Sequence, residues 1–145
     1  MRQLALSGMN AQALELAFYE AMSSGDIESL MALWAEQDDI VCIHPGSART
    51  VGFAAIRASF ESLFERGKLV VKPTQLHVLQ SGNCVVHNVI EEVSGETDPD
   101  HEHEVYLQAT NVYINTAKGW RILLHHVSVT PGTAPTQPAS LRLLH

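Results

Sequence analysis

Cysteine is scarce in this 145-residue chain: there are two, Cys42 and Cys84, each inside an apolar, strand-like run. So few thiols exclude a disulfide scaffold, and buried free thiols in a reducing, cytoplasmic setting are the plain expectation. Basic residues are scarce as well. Nine Lys and Arg stand against sixteen Asp and Glu, a formal charge of −7, and the cations are scattered singly. That excludes the clustered positive patch which nucleic acid requires. No apolar run approaches the length of a membrane span, and "MRQLALSGMN" holds too short a run for a signal peptide. Membrane and nucleic acid are therefore not expected partners.

What is present is a globular composition, 46% hydrophobic with ordinary Gly and Pro, at a length suited to one domain over residues 1–145. Asn10 can cap a helix in which Leu14, Ala17, Phe18 and Ala21 recur at helical spacing, and Gly25 can end it. Asp26 can cap a second helix with Ile27, Leu30, Leu33 and Trp34 on one face, so that "SSGD" joins a helical hairpin. A third helix is expected in "FAAIRASFESLFE", with Phe53, Ile56, Phe60 and Leu63 on one side and Gly67 beyond its end.

From Leu69 the period changes to that of strands. "LVVKPTQLHVLQ" and "CVVHNVIEEV" flank Gly82-Asn83, a two-residue hairpin signal, and "EVYLQATNVYIN" and "WRILLHHVSVT" flank "AKG". With the short strand at 39–43, the chain reads as three helices followed by an antiparallel meander, an α+β domain with helices on one face of a curved sheet. If Ala117, Lys118 and Gly119 form the last loop, Asn111 lies opposite His125, Tyr113 opposite Leu123, and Thr110 opposite His126. One face then carries Val112, Ile114, Trp120, Ile122, Leu124 and His126; the other carries Asn111, Tyr113, Leu123, His125 and Val127. Both are too apolar to face water, which predicts a homodimer.

The stretch "DDIVCIHPG" ends an apolar strand on His44-Pro45-Gly46. A histidine there either stops the strand and bonds a loop carbonyl, or presents an imidazole at the mouth of a pocket. "HEHE" at 101–104 would put His101 and His103 on one face of an extended segment, but no further ligand at suitable spacing accompanies them, so an exposed acidic strand entry is expected and no metal. Neither cysteine nor any serine sits in an activating context for nucleophilic catalysis.

Three segments, "FYEAMSSGDIESLMALWAEQDDIVCIHPG", "VGFAAIRASFESLF" and "ATNVYINTAKGWRILLHHVSV", in this order, resemble the SnoaL-like branch of the nuclear transport factor 2-like superfamily across about residues 9–131. The resemblance implies a cone: a curved sheet wrapped around the long helix, with a pocket at the open end. Beyond that stretch, residues 132–145 read from their own composition as a loop-like tail, with "LRLL" expected to anchor it on the body or on a partner subunit. In ketosteroid isomerase, a member of the superfamily, the general base precedes the proline that ends the first short strand, and His44 holds that place. The isomerase's tyrosine falls at Phe18, which has no hydroxyl, and its protonated acid falls near Thr110 or Asn111.

Kinase association domains of the same fold line their pocket with arginines at positions matching Glu91, Asn111 and Val127, none of which is basic here. The resemblance thus implies a neutral, mostly apolar small molecule held by Phe18, Trp34, Ile56, Phe60, Glu91, Tyr113 and Val127, with His44, Asn111 and His125 as catalytic candidates and no cofactor. Each has a plain counterpart. Asn111 and His125 satisfy each other as buried polar groups; the aromatic residues are ordinary core; Glu91 marks a solvated strand end. A cofactor-free isomerase, cyclase or dehydratase, a non-catalytic binding protein and an oligomerisation module all remain open at this point.

Overall fold

The computed structural model describes residues 8–95 and 105–130. Helix α1, Ala11–Ser24, starts where the Asn10 side chain accepts a hydrogen bond from the Ala13 N–H at 2.8 Å. It ends at Gly25, whose φ of 71° lets the chain turn back so that the Asp26 N–H reaches the Ala21 carbonyl at 3.0 Å. Asp26 caps α2, Ile27–Met31, through the Ser29 N–H at 3.1 Å.

Helix α2 is shorter than its periodicity predicts. Leu33 and Ala35 bond the backbone of Ile122 on both sides, each at 2.9 Å, and Trp34 forms a parallel bridge with Ile122. A strand partner satisfies these backbone groups as well as another helical turn would, and Leu30, Leu33 and Trp34 remain buried either way.

Strands β1 (Val41–Ile43) and β2 (Thr50–Val51) precede α3, Phe53–Glu65, and then come β3 (Leu69–Ser81), β4 (Cys84–Gly95), β5 (Val105–Thr116) and β6 (Gly119–Val129). They form one curved sheet in the order β2-β1-β6-β5-β4-β3, antiparallel except where β1 runs parallel to β6. The α+β cone expected from the sequence is the observed architecture.

The register of the last hairpin holds at two of its three expected pairs. Asn111 faces His125 and Thr110 faces His126, but Tyr113 faces Ile122, because the register shifts between Val112 and Tyr113 and leaves Leu123 as the extra residue. The loop closes tighter than expected, with Thr116 paired to Gly119 around Ala117-Lys118. Such a bulge turns every residue beyond it onto the other face. Ile122 therefore joins the inner face and is 1% exposed, while Leu123 leaves it.

Period-2 alternation then places Val85, His87, Val89 and Glu91 of β4, Ala109, Asn111 and Tyr113 of β5, and Ile122, His125 and Val127 of β6 on the inside, all buried. They wrap α1, which consequently buries a broad stripe: Leu14, Glu15, Phe18, Tyr19 and Met22. Phe18 sits at the centre, edge-on to Trp34, Phe60 and His125 with ring centroids 6.2, 6.0 and 4.9 Å away. Each fully buried aromatic contributes roughly 2–3 kcal/mol from the area removed from water. The HEHE segment and the tail at 132–145 lie outside the described residues.

Candidate functional site

A cavity of about 380 Å³ opens at the wide end of the cone. One wall is apolar, formed by Met22 of α1, Leu69 and Val71 of β3, Val93 of β4, Leu107 of β5 and Val127 of β6. The opposite wall is polar: His44, Pro45 and Ser47 after β1, and Ser59, Ser62 and Arg66 on or just beyond α3. Leu63 of α3, Glu91 and His125 complete the lining.

The proton on His44 can be assigned from its neighbours. The Ser59 hydroxyl donates to the Ile56 carbonyl at 2.6 Å, so its oxygen accepts from His44 Nε2 at 3.0 Å. In the neutral ring Nδ1 then keeps its lone pair. Burial first, and the Arg66 charge second, lower the His44 pKa below 6.5, so the ring is neutral at pH 7. Phe60 meets it edge-on at 4.8 Å. His44 is half-buried, borders the cavity and bonds a serine side chain rather than a loop carbonyl.

Behind the cavity lies a buried network that the sequence reading did not foresee. Asn111 Nδ2 donates to Glu15 Oε2 at 3.1 Å and to the Tyr19 hydroxyl at 3.0 Å; Tyr19 in turn donates to Glu91 Oε2 at 2.7 Å. Tyr113 donates to Glu15 Oε2 at 2.5 Å. His87 Nδ1 lies 3.0 Å from the same oxygen but out of line for a hydrogen bond. Since the Asn111 amide nitrogen is committed to α1, its Oδ1 must accept, and His125 Nδ1, 2.6 Å away, is the donor. His125 Nε2 is thereby left as a lone pair, 3.9 Å from Glu91 Oε2.

Desolvation sets the protonation here. It lifts Glu91 from an ordinary 4.5 to about 7, against the lowering effect of the Tyr19 hydrogen bond. Burial, reinforced by His44 and His126, pushes His125 down to about 3. At neutral pH the cavity therefore offers a carboxyl poised between donor and acceptor, beside imidazoles that are neutral.

Of the ten residues singled out from the sequence, His44, Glu91, His125 and Val127 line the cavity. Phe18, Trp34, Ile56, Phe60 and Tyr113 do not; they fill the narrow end of the cone beneath it, all 2% exposed or less. Asn111 is one layer back, holding His125. Glu91 is not at a solvated strand end but 3% exposed. Among the described residues no group of three or more His, Cys, Asp or Glu could hold a metal, and no helix is long and apolar enough to cross a membrane.

Residues 12–131 match the family model described as the SnoaL-like domain. The chain belongs to the SnoaL-like family. Among solved structures, this SnoaL-like chain is similar to a proposed calcium/calmodulin-dependent protein kinase type II association domain from Thiobacillus denitrificans, at 34% identity and a TM-score of 0.73, covering 83% of this chain and 95% of that one. It is also similar to a proposed dehydratase of the nuclear transport factor 2-like family from Streptomyces avermitilis, at 27% identity and a TM-score of 0.73, covering 82% and 92%. A nuclear transport factor 2-like protein of unknown function from Pseudomonas putida shares the fold at 23% identity and a TM-score of 0.71, covering 89% and 87%. No match is found among curated proteins.

The SnoaL-like framework also explains what sequence reasoning missed. The resemblance put the isomerase tyrosine at Phe18, yet the hydroxyl in this site comes from its neighbour Tyr19, because a helix enclosed by a curved sheet buries two adjacent stripes. The signal for Glu15 and Tyr19 was their i,i+4 spacing on that helix. The signal for His87 and Glu91 was the Val-His-Val-Glu-Val alternation along β4. Arg66 follows Ser59 and Ser62 along one face of α3 and its extension.

Proposed function

We propose that this SnoaL-like protein is a cofactor-free acid–base enzyme that isomerises, cyclises or dehydrates a small, mostly apolar substrate. The observation that carries the reading is a proton acceptor, His44, and a carboxyl with a pKa of about 7, Glu91, lining one cavity with an apolar wall. His44 Nδ1 takes a proton from the substrate, Glu91 returns one or steadies the developing negative charge, and His125, held by Asn111, offers a lone pair beside Glu91. The similarity to a proposed dehydratase favours the same class of chemistry.

Nitrobenzisoxazole, which opens when a base removes its ring proton and breaks the N–O bond, tests this without knowledge of the natural substrate. The protein should open it faster than free imidazole at equal concentration, and His44→Ala should lose at least tenfold while circular dichroism stays unchanged. A rate that reaches its plateau below pH 6.5 identifies His44 as the base; a midpoint near 7 transfers that role to Glu91. Rates no better than imidazole would retire the enzyme.

The similarity to a proposed association domain favours a second role, assembly. The outer face of the sheet carries half-buried Val86, Ile90, Val112, Ile114 and Leu124, consistent with a homodimer formed through that face. Light scattering should report twice the chain mass at micromolar concentration, and a monomer there would remove the argument. The two free thiols fit a cytoplasmic setting.

A further inference from the structure

Among the described residues, Arg66 is the one arginine or lysine in the cavity wall. It follows the last turn of α3, and among the described residues its guanidinium has neither a hydrogen bond nor an ion pair, although the chain carries sixteen acidic residues. Arg57 on the same helix, by contrast, is held by Glu28 at 2.6 Å. Arg66 stands close enough to His44 for its charge to help lower that ring's pKa. Ser59 and Ser62 flank it on the same wall.

Among the described residues the facing wall is apolar, Leu63 adds to it from α3, and Glu91 and the lone pair of His125 repel a negative group. A ligand that satisfies every part of this cavity has an apolar body against Val71, Val93, Leu107 and Val127, and a planar anion on Arg66. We propose that the substrate is a small monocarboxylic acid bound with its carboxylate on Arg66 and its reacting carbon toward His44 and Glu91. This deepens the acid–base reading of the same site and amends the neutral ligand expected from the sequence: that expectation considered only Glu91, Asn111 and Val127, and the cation comes from α3 instead. Guanidinium and carboxylate match as two parallel hydrogen bonds, which fixes the orientation of the bound molecule as well as its affinity. A cavity of this size suits a ligand of about one or two rings.

The test uses two probes with the same apolar body, naphthoate and naphthalenemethanol, titrated calorimetrically into the full chain at pH 7.5. Naphthoate should bind at least about tenfold tighter, a modest preference because Arg66 is exposed to water at the cavity rim. Arg66→Gln should remove that preference and leave the alcohol within about twofold of its wild-type affinity, and added salt should weaken naphthoate alone. Equal affinities in the wild type, a preference that survives Arg66→Gln, or no binding of either probe would overturn the proposal. Its failure is distinguishable from failure of the enzyme reading, since naphthoate binding needs no turnover and nitrobenzisoxazole carries no anion. Turnover without carboxylate preference retires the acid substrate alone; preference without turnover retires the enzyme alone.

Discussion

Glu15→Ala should cost the protein about 3 kcal/mol or more of stability, the largest effect expected from one side chain outside the aromatic core. Glu15 Oε2 accepts from Asn111 and Tyr113 and sits against His87, with the residue 3% exposed. Removing it strands the Tyr113 hydroxyl and one Asn111 N–H in the interior, each at about 1–3 kcal/mol, and leaves a void beside them. A groove of about 170 Å³ bordered by Glu15, Pro73 and Gln75 limits the loss, because water entering there can replace part of the lost bonding.

Glu15→Gln keeps an acceptor for Tyr113 and should cost less. The cavity is buffered against the loss: Asn111 Nδ2 still donates to the Tyr19 hydroxyl, which keeps Oδ1 on His125 Nδ1 and preserves that ring's tautomer. Urea unfolding followed by tryptophan fluorescence measures the stability change, and a loss below about 1 kcal/mol would show that the network is not anchored at Glu15.

The second large effect concerns pH. The Glu91 pKa is raised from 4.5 to about 7, so the folded state binds more protons than the unfolded state across that window. Its contribution is fully present below 4.5 and is lost as pH rises through 7. The His125 pKa is lowered from 6.5 to about 3, so its contribution is present above 6.5 and is lost as pH falls through 3. Between pH 4.5 and 6.5 the two slopes, each about 1.4 kcal/mol per pH unit, oppose each other and cancel.

Breaking the balance reveals it. Glu91→Gln should gain roughly 2–3 kcal/mol of stability between pH 4.5 and 6.5 relative to the wild-type profile, and His125→Gln should show the opposite trend. Urea unfolding at pH 4.5, 5.5 and 6.5 reads the slopes directly. Parallel profiles for wild type and Glu91→Gln would mean that Glu91 is not held near 7, and the acid–base reading would lose its carboxyl.

Local chemistry was legible in the sequence. Asn10 and Gly25 bound α1 because a capping amide and a left-handed glycine act on the nearest turn, whatever lies beyond. Gly82-Asn83 closes β3 onto β4 for a similar reason, whereas the expected pairing of Asn111 with His125 holds because the extra residue at Leu123 offsets a loop one residue shorter than expected. His44 could be placed at the end of β1 by the apolar run before it and the proline after it.

Contacts between distant parts of the chain required the tertiary structure. Leu33 and Trp34 leave their helix because the backbone of Ile122 competes for them, and the bulge at Leu123 turns Ile122 inward to fill the core under Tyr113. The site network joins residues 72 to 98 positions apart: Tyr19 to Glu91, Asn111 to Tyr19 and Glu15, and Tyr113 to Glu15. No periodicity pairs such residues. Composition and spacing state which faces are apolar and where turns fall, and that determined an α+β domain with helices on one face of a curved sheet and a histidine at its first strand's end; the cone was what the family resemblance implied. Which polar side chains meet inside it depends on how far the sheet curves around α1, and that curvature, set by packing and by one extra residue in β6, buries Glu91 beside His125, while the end of α3 supplies Arg66 to the opposite wall.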